Sequence, residues 1–197
     1  MQRIEIDTQS VGYPMPVAVL GTLYQGRPNF MAVAWLARVN FKPPQIAVAV
    51  NRSHATAEAI VANGCFSLSF PNRRQLEATD YVGIASGRRT DKSGVFPVFV
   101  GELGAAPMAA DCPVAMECRL AESLELPSNT LFVGDIVKIY ADEAYLTDGM
   151  LDLRKTDPLL LSMPDNRYWS LAAEPIGEAW SAGRGYVAAS GAAAKDE

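Results

Sequence analysis

Histidine is almost absent: the 197-residue chain holds one, His54. That excludes His-rich zinc sites and di-iron bundles, and any Ser-His-Asp triad would have to run through this single imidazole. Cysteine is scarce too. Cys65, Cys112 and Cys118 are an odd number with no Cys-x-x-Cys pair, which argues against a disulfide framework and a thiolate metal site and leaves reduced, buried thiols as the expectation. No apolar run approaches the ~18 to 20 residues of a spanning helix. With no positively charged, then apolar leader at its start, the protein is expected to be soluble and cytoplasmic. Neither a Gly-x-Ser-x-Gly elbow nor a Walker loop occurs. Gly183-Arg184-Gly185-Tyr186-Val187-Ala188 fits the dinucleotide fingerprint, but no strand precedes it and no Rossmann unit is expected there. Basic residues are outnumbered, 17 Lys and Arg against 22 Asp and Glu, for a net charge of −5. Nucleic acid and anionic membranes are therefore not expected partners, and any phosphate must be caught locally.

What is present, from Val17 to Glu143, is a run of short strands interrupted by two helical stretches. The pattern predicts a mainly β fold with short helices, in one domain over 1–180, and a disordered Gly/Ala-rich tail over 181–197. Val17 to Tyr24 reads as a strand that turns at Gln25-Gly26 into a hairpin partner, Asn29 to Val39. In Ile46-Ala47-Val48-Ala49-Val50 large residues alternate with alanines, so one face fills a core while the other lets something approach closely. Phe66, Leu68 and Phe70 alternate with Cys65, Ser67 and Ser69, the pattern of a half-buried strand. The spacing of Ala57, Ile60 and Val61 predicts a helix over 56–63, with Ser53 as N-cap and Gly64 as stop. A second helix is expected over 73–86, followed by a polar loop, Ser86 to Gly94. Met116 to Ala121 reads as a strand with one wet face, and Leu131 to Tyr140 as its antiparallel return. Beyond Asp148-Gly149 the irregular chain is expected to wrap the barrel.

Two segments carry chemistry. Gly26-Arg27-Pro28-Asn29-Phe30-Met31-Ala32-Val33-Ala34-Trp35 is a strand with a polar entry, able to present backbone N–H and C=O groups and one amide to a flat heterocycle. Asn51-Arg52-Ser53-His54-Ala55-Thr56 places a guanidinium and two hydroxyls at a helix start, where free N–H groups and the helix dipole favour a phosphate. Together they look like a flavin site. Taken singly, Trp35 could be core, Ser53 and Thr56 could be caps, and Lys92 a solvated charge.

These two segments, then Ser86-Gly87-Arg88-x-x-Asp91-Lys92, then Leu126-Pro127-Ser128-Asn129-Thr130-Leu131-Phe132-Val133-Gly134-Asp135, resemble the flavoredoxin branch of the flavin reductase-like proteins over roughly Val17 to Leu161. The resemblance implies a split β-barrel that binds FMN non-covalently and pairs as a homodimer around its flavin sites. On that likeness Asn29 and the backbone through Met31, Ala32, Val33, Ala34 and Trp35 would contact the isoalloxazine. Arg52, Ser53 and Thr56 would hold the phosphate, with His54 beside it. Lys92 would sit near the ring, where a cation stabilises the charge that reduction brings. The implied function is an FMN-binding oxidoreductase with NAD(P)H or a redox partner protein as donor, no covalent nucleophile and no metal.

Two positions depart from the family pattern. Asn129 stands where many relatives carry histidine; an amide can bond a flavin edge but cannot titrate near neutral pH, which tilts the expectation towards electron shuttling between proteins. Leu161-Ser162-Met163-Pro164 stands where relatives place an aromatic, a wall that Tyr168 or Trp169 would have to replace. The reading from another class is a split barrel without catalysis, binding a different ligand or acting only as an interaction module.

Overall fold

The computed structural model describes residues 3–10, 12–163, 165–171 and 175. The expected domain limit at 180, the tail over 181–197 and the fingerprint match at 183–188 lie outside the described residues. Seven strands form the main sheet: β1 Ala18–Tyr24, β2 Arg27–Val33, β3 Leu36–Asn40, β4 Gln45–Asn51, β5 Cys65–Phe70, β6 Val114–Glu125 and β7 Asn129–Ala141. Helix α1, Ala55–Asn63, lies between β4 and β5, and α2, Leu76–Ile84, follows β5.

The strands are all antiparallel, in the order β2-β1-β5-β6-β7-β4-β3. β2 and β3 therefore sit at opposite edges of the sheet, yet only Ala34 and Trp35 join them. Laid flat, six steps of about 4.8 Å would hold the edges roughly 29 Å apart. The link from Val33 to Leu36 can reach only about 11 Å. The sheet must curl on itself, and the result is a split β-barrel. The strand expected as one piece from Asn29 to Val39 is thus two, broken where the chain crosses from one edge to the other. Register shifts in β7 between Val133 and Gly134 and between Ile136 and Lys138 add the bend that closure needs.

Inside the barrel pack Leu20, Val48, Val50, Phe66, Leu68, Cys118 and Phe132, and α1 adds Ala57 and Ile60. A second cluster lies outside β1 and β2, where Val19 and Phe30 meet Val82 of α2 with Phe96, Ala109 and Cys112. This outer layer corrects two expectations. β5 is buried on both faces, because Ala109 donates its N–H to Ser69 Oγ at 3.0 Å and Ser67 Oγ donates to Pro107 O. The face of β6 expected to be wet is exposed at Arg119 and Ala121, but holds Glu117 at 0% exposure. Its carboxylate accepts bonds from the N–H groups of Glu102 at 3.1 Å and Leu103 at 2.9 Å and from the Tyr140 hydroxyl at 2.7 Å. Burial pushes this carboxyl up, but the three bonds outweigh it and hold the group below the usual range.

The β1–β2 turn falls at Gln25-Gly26, with φ of 52° and 76°, as the hairpin pattern predicts. α1 ends on Gly64 in the left-handed conformation, whose N–H reaches Ile60 O at 2.9 Å. Its N-cap is His54 rather than Ser53. Asn51 Oδ1 accepts from both the N–H and the hydroxyl of Ser53, at 2.9 and 2.7 Å, and this turn delays the helix by one residue. The second helix is shorter than expected: Arg73–Gln75 form a 3-10 turn and α2 stops at Ile84. Further on, Leu160–Ser162 pairs with both Met15–Pro16 and Arg167–Trp169, and Tyr168 donates to Asp80 of α2 at 2.9 Å, so this part wraps the barrel as expected. The three cysteines are free and buried. Among the described residues no helix is long and apolar enough to cross a membrane.

Gly134 shows how closely the barrel interior is filled. A Cβ there would meet Phe66 Cζ at 2.7 Å and Cys118 Cβ at 2.9 Å. Gly134→Ala should therefore destabilise the fold by about 1–3 kcal/mol, read as a lower urea midpoint, and Phe66→Leu in the same chain should recover part of the loss.

Candidate functional site

The polar entry of β2 meets the first turn of α1 at one hydrogen bond. Asn29, 5% exposed, donates its Nδ2–H to Thr56 Oγ1 at 3.0 Å. Behind this pair runs the loop after α2, and a Cβ on Gly87 would lie 2.4 Å from Asn29 Oδ1. Only a glycine lets that backbone come so close. The result is a cleft of about 310 Å³ lined by Met31, Ser53, His54, Thr56, Ser86 and Lys92 among others. The N–H groups of Ala55 and Thr56 have no acceptor among the described residues, as helix starts leave them, and both residues line the cleft.

Lys92 is the electrostatic centre. It is 3% exposed, and its ammonium donates to Val82 O at 3.2 Å and Ala85 O at 3.1 Å at the C-terminal end of α2. No carboxylate pairs with it among the described residues. Burial pulls its pKa down to about 8. His54 is held below its usual value, first by burial and then by the Lys92 charge. A cleft with hydroxyls, free N–H groups and an ammonium lacking a counter-charge is built to take an anion.

A second, apolar recess of about 450 Å³ lies beyond the end of β2, lined by Ala34, Trp35, Leu36, Ala47, Ala49, Leu131 and others. Trp35 is 51% exposed, so it is not core. The alanine face of β4 opens here, as its alternation predicts, and provides a flat floor for a planar group.

The structure brings Met31, Ser53, His54, Thr56 and Lys92 around one cleft, with Asn29 joined to it through its bond to Thr56, and places Ala34 and Trp35 at the apolar recess. The other nominated side chains go elsewhere. Val33 is buried in the barrel core and Ala32 packs towards Gly83 of α2, so both offer only backbone. Arg52 pairs with Glu125 at 3.4 Å and its N–H bonds Ser128 O, which holds the guanidinium at the β6–β7 turn. Asn129 stands opposite Asn51 in the β7–β4 ladder and lines neither recess. Tyr168 is engaged by Asp80, and Trp169 donates to Ser162 Oγ at 2.7 Å; neither lines the polar cleft. Sequence reasoning passed over Arg89, which does line the cleft and whose side chain has no acceptor among the described residues. The paired arginines in Ser86-Gly87-Arg88-Arg89 were its signal.

Comparison with known proteins agrees with the fold. The model of the flavin reductase like domain matches residues 10–161. A flavoredoxin from Methanosarcina acetivorans is similar at 47% identity over 93% of this chain and 98% of its own, with a TM-score of 0.90. The flavoredoxin of Desulfovibrio vulgaris (Miyazaki F) is similar at 33% identity over 92% and 100%, with a TM-score of 0.86. An FMN-binding protein from Thermus thermophilus follows at 25% identity over 90% and 98%, with a TM-score of 0.77. The chain spans 62% to 72% of the length of the curated sequence relatives it matches.

Lys92 yields a pH prediction. Its folded pKa of about 8 lies below its ordinary 10.5, so between those values the unfolded chain binds more protons and stability rises with pH. Below pH 8 the buried charge costs the fold its full penalty. Cofactor-free protein should gain roughly 3 kcal/mol relative to Lys92→Met between pH 7 and 10.5, measured by urea unfolding at both pH values.

Proposed function

The chain belongs to the flavin reductase-like family, and from that premise we propose that it is an FMN-dependent oxidoreductase passing electrons through a non-covalently held flavin. The observation that carries the proposal is the Asn29–Thr56 bond closed over by Gly87, with Lys92 buried beside it. The donor set fits FMN. Ser53, Thr56 and the first-turn N–H groups of α1 would hold the phosphate, and Arg89 would add the guanidinium that Arg52, engaged by Glu125, does not bring to the cleft. Asn29 and the backbone from Met31 to Trp35 would hold the ring, with Trp35 and the alanine floor of β4 as its apolar surroundings. FMN, once bound, supplies the electron chemistry. Lys92, on the wall of the cleft that would take the phosphate, would supply positive charge there, and a bound anion in turn restores the charged form that burial disfavours. None of the three thiols is suited to attack: burial pushes Cys118 up to about 12 and Cys112 higher still.

The pairing expected from the family likeness belongs to the same proposal. Leu124, Leu126 and Ile139 of the β6–β7 hairpin are exposed, as is Trp35, and a two-fold partner laid on them would cover apolar surface beside the flavin recess. Sedimentation of the FMN-loaded protein should give a homodimer at micromolar concentration; a monomer would remove this part of the proposal.

The cofactor assignment is tested by titration of cofactor-free protein. FMN should bind at least about tenfold more tightly than riboflavin, since each charge-assisted bond to the phosphate contributes roughly 1.5–3 kcal/mol. Thr56→Val, which removes both a phosphate donor and the acceptor of the Asn29 amide, should weaken FMN by about tenfold or more. A colourless protein with no FMN affinity tighter than millimolar would instead support a non-catalytic binding or interaction module.

A further inference from the structure

The turn that joins β3 to β4 carries the most exposed aromatic residue among the described residues, Phe41 at 74%. Its ring is held from two sides. The Arg38 guanidinium stands 5.5 Å from the ring centroid and the Lys42 ammonium 6.0 Å from it. Arg38 Nε donates to Asn40 O at 3.4 Å and Asn40 Nδ2 to Pro43 O at 3.0 Å, so the turn is tied across its own base. Neither cation pairs with a carboxylate among the described residues, and residues 36–45 contain no Asp or Glu. Asp135, which the β7–β4 ladder sets opposite Gln45, accepts from the Gln45 amide at 2.9 Å. In a chain of net charge −5 this tip is basic as well as apolar. Guarding an edge strand against pairing accounts for Lys42 and the two prolines after it, but not for an aromatic ring held out in water between two cations.

On the flavin reading the tip lies at the ring end of the site. β4 runs from Gln45 beside the tip to Asn51 beside the phosphate cleft, six residues or about 20 Å. The apolar recess lies between, on Ala47 and Ala49. Val39 lines that recess from β3, and Phe41, two residues on, stands about 7 Å further along. The β6–β7 turn, with Leu124 and Leu126, is at the Asn51 end of the same ladder. Apposing the tips of two copies would bring four cations together, so a second copy is not the partner that fits this turn.

We propose that the β3–β4 tip is the docking site for a small electron-carrier protein with an acidic face, which rests on the flavin reading for what the two exchange. Phe41 is the anchor, and Arg38 and Lys42 form the charged rim. So small a patch suits electron-carrier encounters, which bury less than about 1,200 Å². A net-negative protein also needs local positive charge to orient a negative partner. Two reduced carriers docking in turn would each give up one electron, and FMN would gain two together with two protons from water. An anionic membrane fits less well, since lipid-binding segments cluster about four to eight cations and this tip has two.

The experiment uses the full chain loaded with FMN and two unrelated acidic carriers as probes, a plant-type [2Fe–2S] ferredoxin and a rubredoxin, with a basic c-type cytochrome as control. Calorimetry at low salt should show an acidic probe binding with a Kd below about 100 μM, weakened about tenfold by 0.3 M salt. Phe41→Ala should weaken it about tenfold. Arg38→Gln combined with Lys42→Gln should do the same and flatten the salt dependence, with FMN affinity and the urea midpoint unchanged in both variants. No binding of either acidic probe at about 1 mM, equal affinity for the cytochrome, or full affinity in both variants would each overturn the proposal. So would a change of oligomeric state in the variants, which would give the tip to a second copy, or binding to phosphatidylserine vesicles that depends on the same three residues. Probe binding by a protein that takes up no FMN would sink the flavin reading and leave the docking site standing; FMN uptake without probe binding would do the reverse.

Discussion

Everything in this molecule hangs on a two-residue crossing. Because Ala34 and Trp35 alone connect strands at opposite edges of a seven-stranded sheet, the sheet has no choice but to close. Closure then demands a small interior, which is why Gly134 stands opposite Phe66 and why register shifts bend β7. It also puts the crossing itself on the outside, so that Trp35 is half exposed beside the alanine face of β4. An aromatic on an apolar recess is thus a consequence of topology before it is a feature of any ligand site.

The polar cleft is the second consequence. α1 plugs the barrel with Ala57 and Ile60, and that packing brings its first turn against the entry of β2, where the Asn29–Thr56 bond fixes the two together. α2 lies outside the same strand, held through Val82 against Phe30 and Phe96. Its carbonyl end would be left open, and Lys92 closes it. One side chain accordingly terminates a helix and charges a cleft. The cost of burying that ammonium without a carboxylate is a stability penalty at neutral pH, which an anionic ligand offsets by supplying the missing counter-charge.

How much of this could be read in the sequence depends on how far each determinant reaches. The Gln25-Gly26 turn, the Gly64 stop and the alternation of Ala47 and Ala49 with large residues are local, and each appears where its pattern places it. Ser67, Ser69 and Glu117 look like solvent-facing residues because their partners, Pro107, Ala109, Glu102 and Leu103, lie at least fourteen positions away. A loop that covers a sheet face leaves no periodic trace. The site divides in the same way. Asn29, Ser53, His54, Thr56 and Lys92 are gathered as the motifs suggest, while Arg52 is drawn off by Glu125, a choice between acceptors that no local pattern records. Ser53 yields the cap position to His54 because the turn on Asn51, whose side-chain oxygen accepts from both donors of Ser53, puts the first helical residue at Ala55.

The arginines around the cleft show the same competition deciding chemistry. Arg27, Arg52 and Arg88 are each matched to a carboxylate, Asp91, Glu125 and Glu58. These pairs are exposed and each contributes little to stability, on the order of 0–1 kcal/mol. Their effect is on orientation: a guanidinium given to a carboxylate is withdrawn from a cleft or pinned at its rim. On the same loop, Arg89 and Lys92 are the cations lining the cleft, and neither is paired with a carboxylate among the described residues. Matching Arg27 and Arg88 to carboxylates thus leaves the uncompensated charge of this loop on Arg89 and Lys92, at the cleft wall where it can meet an anion.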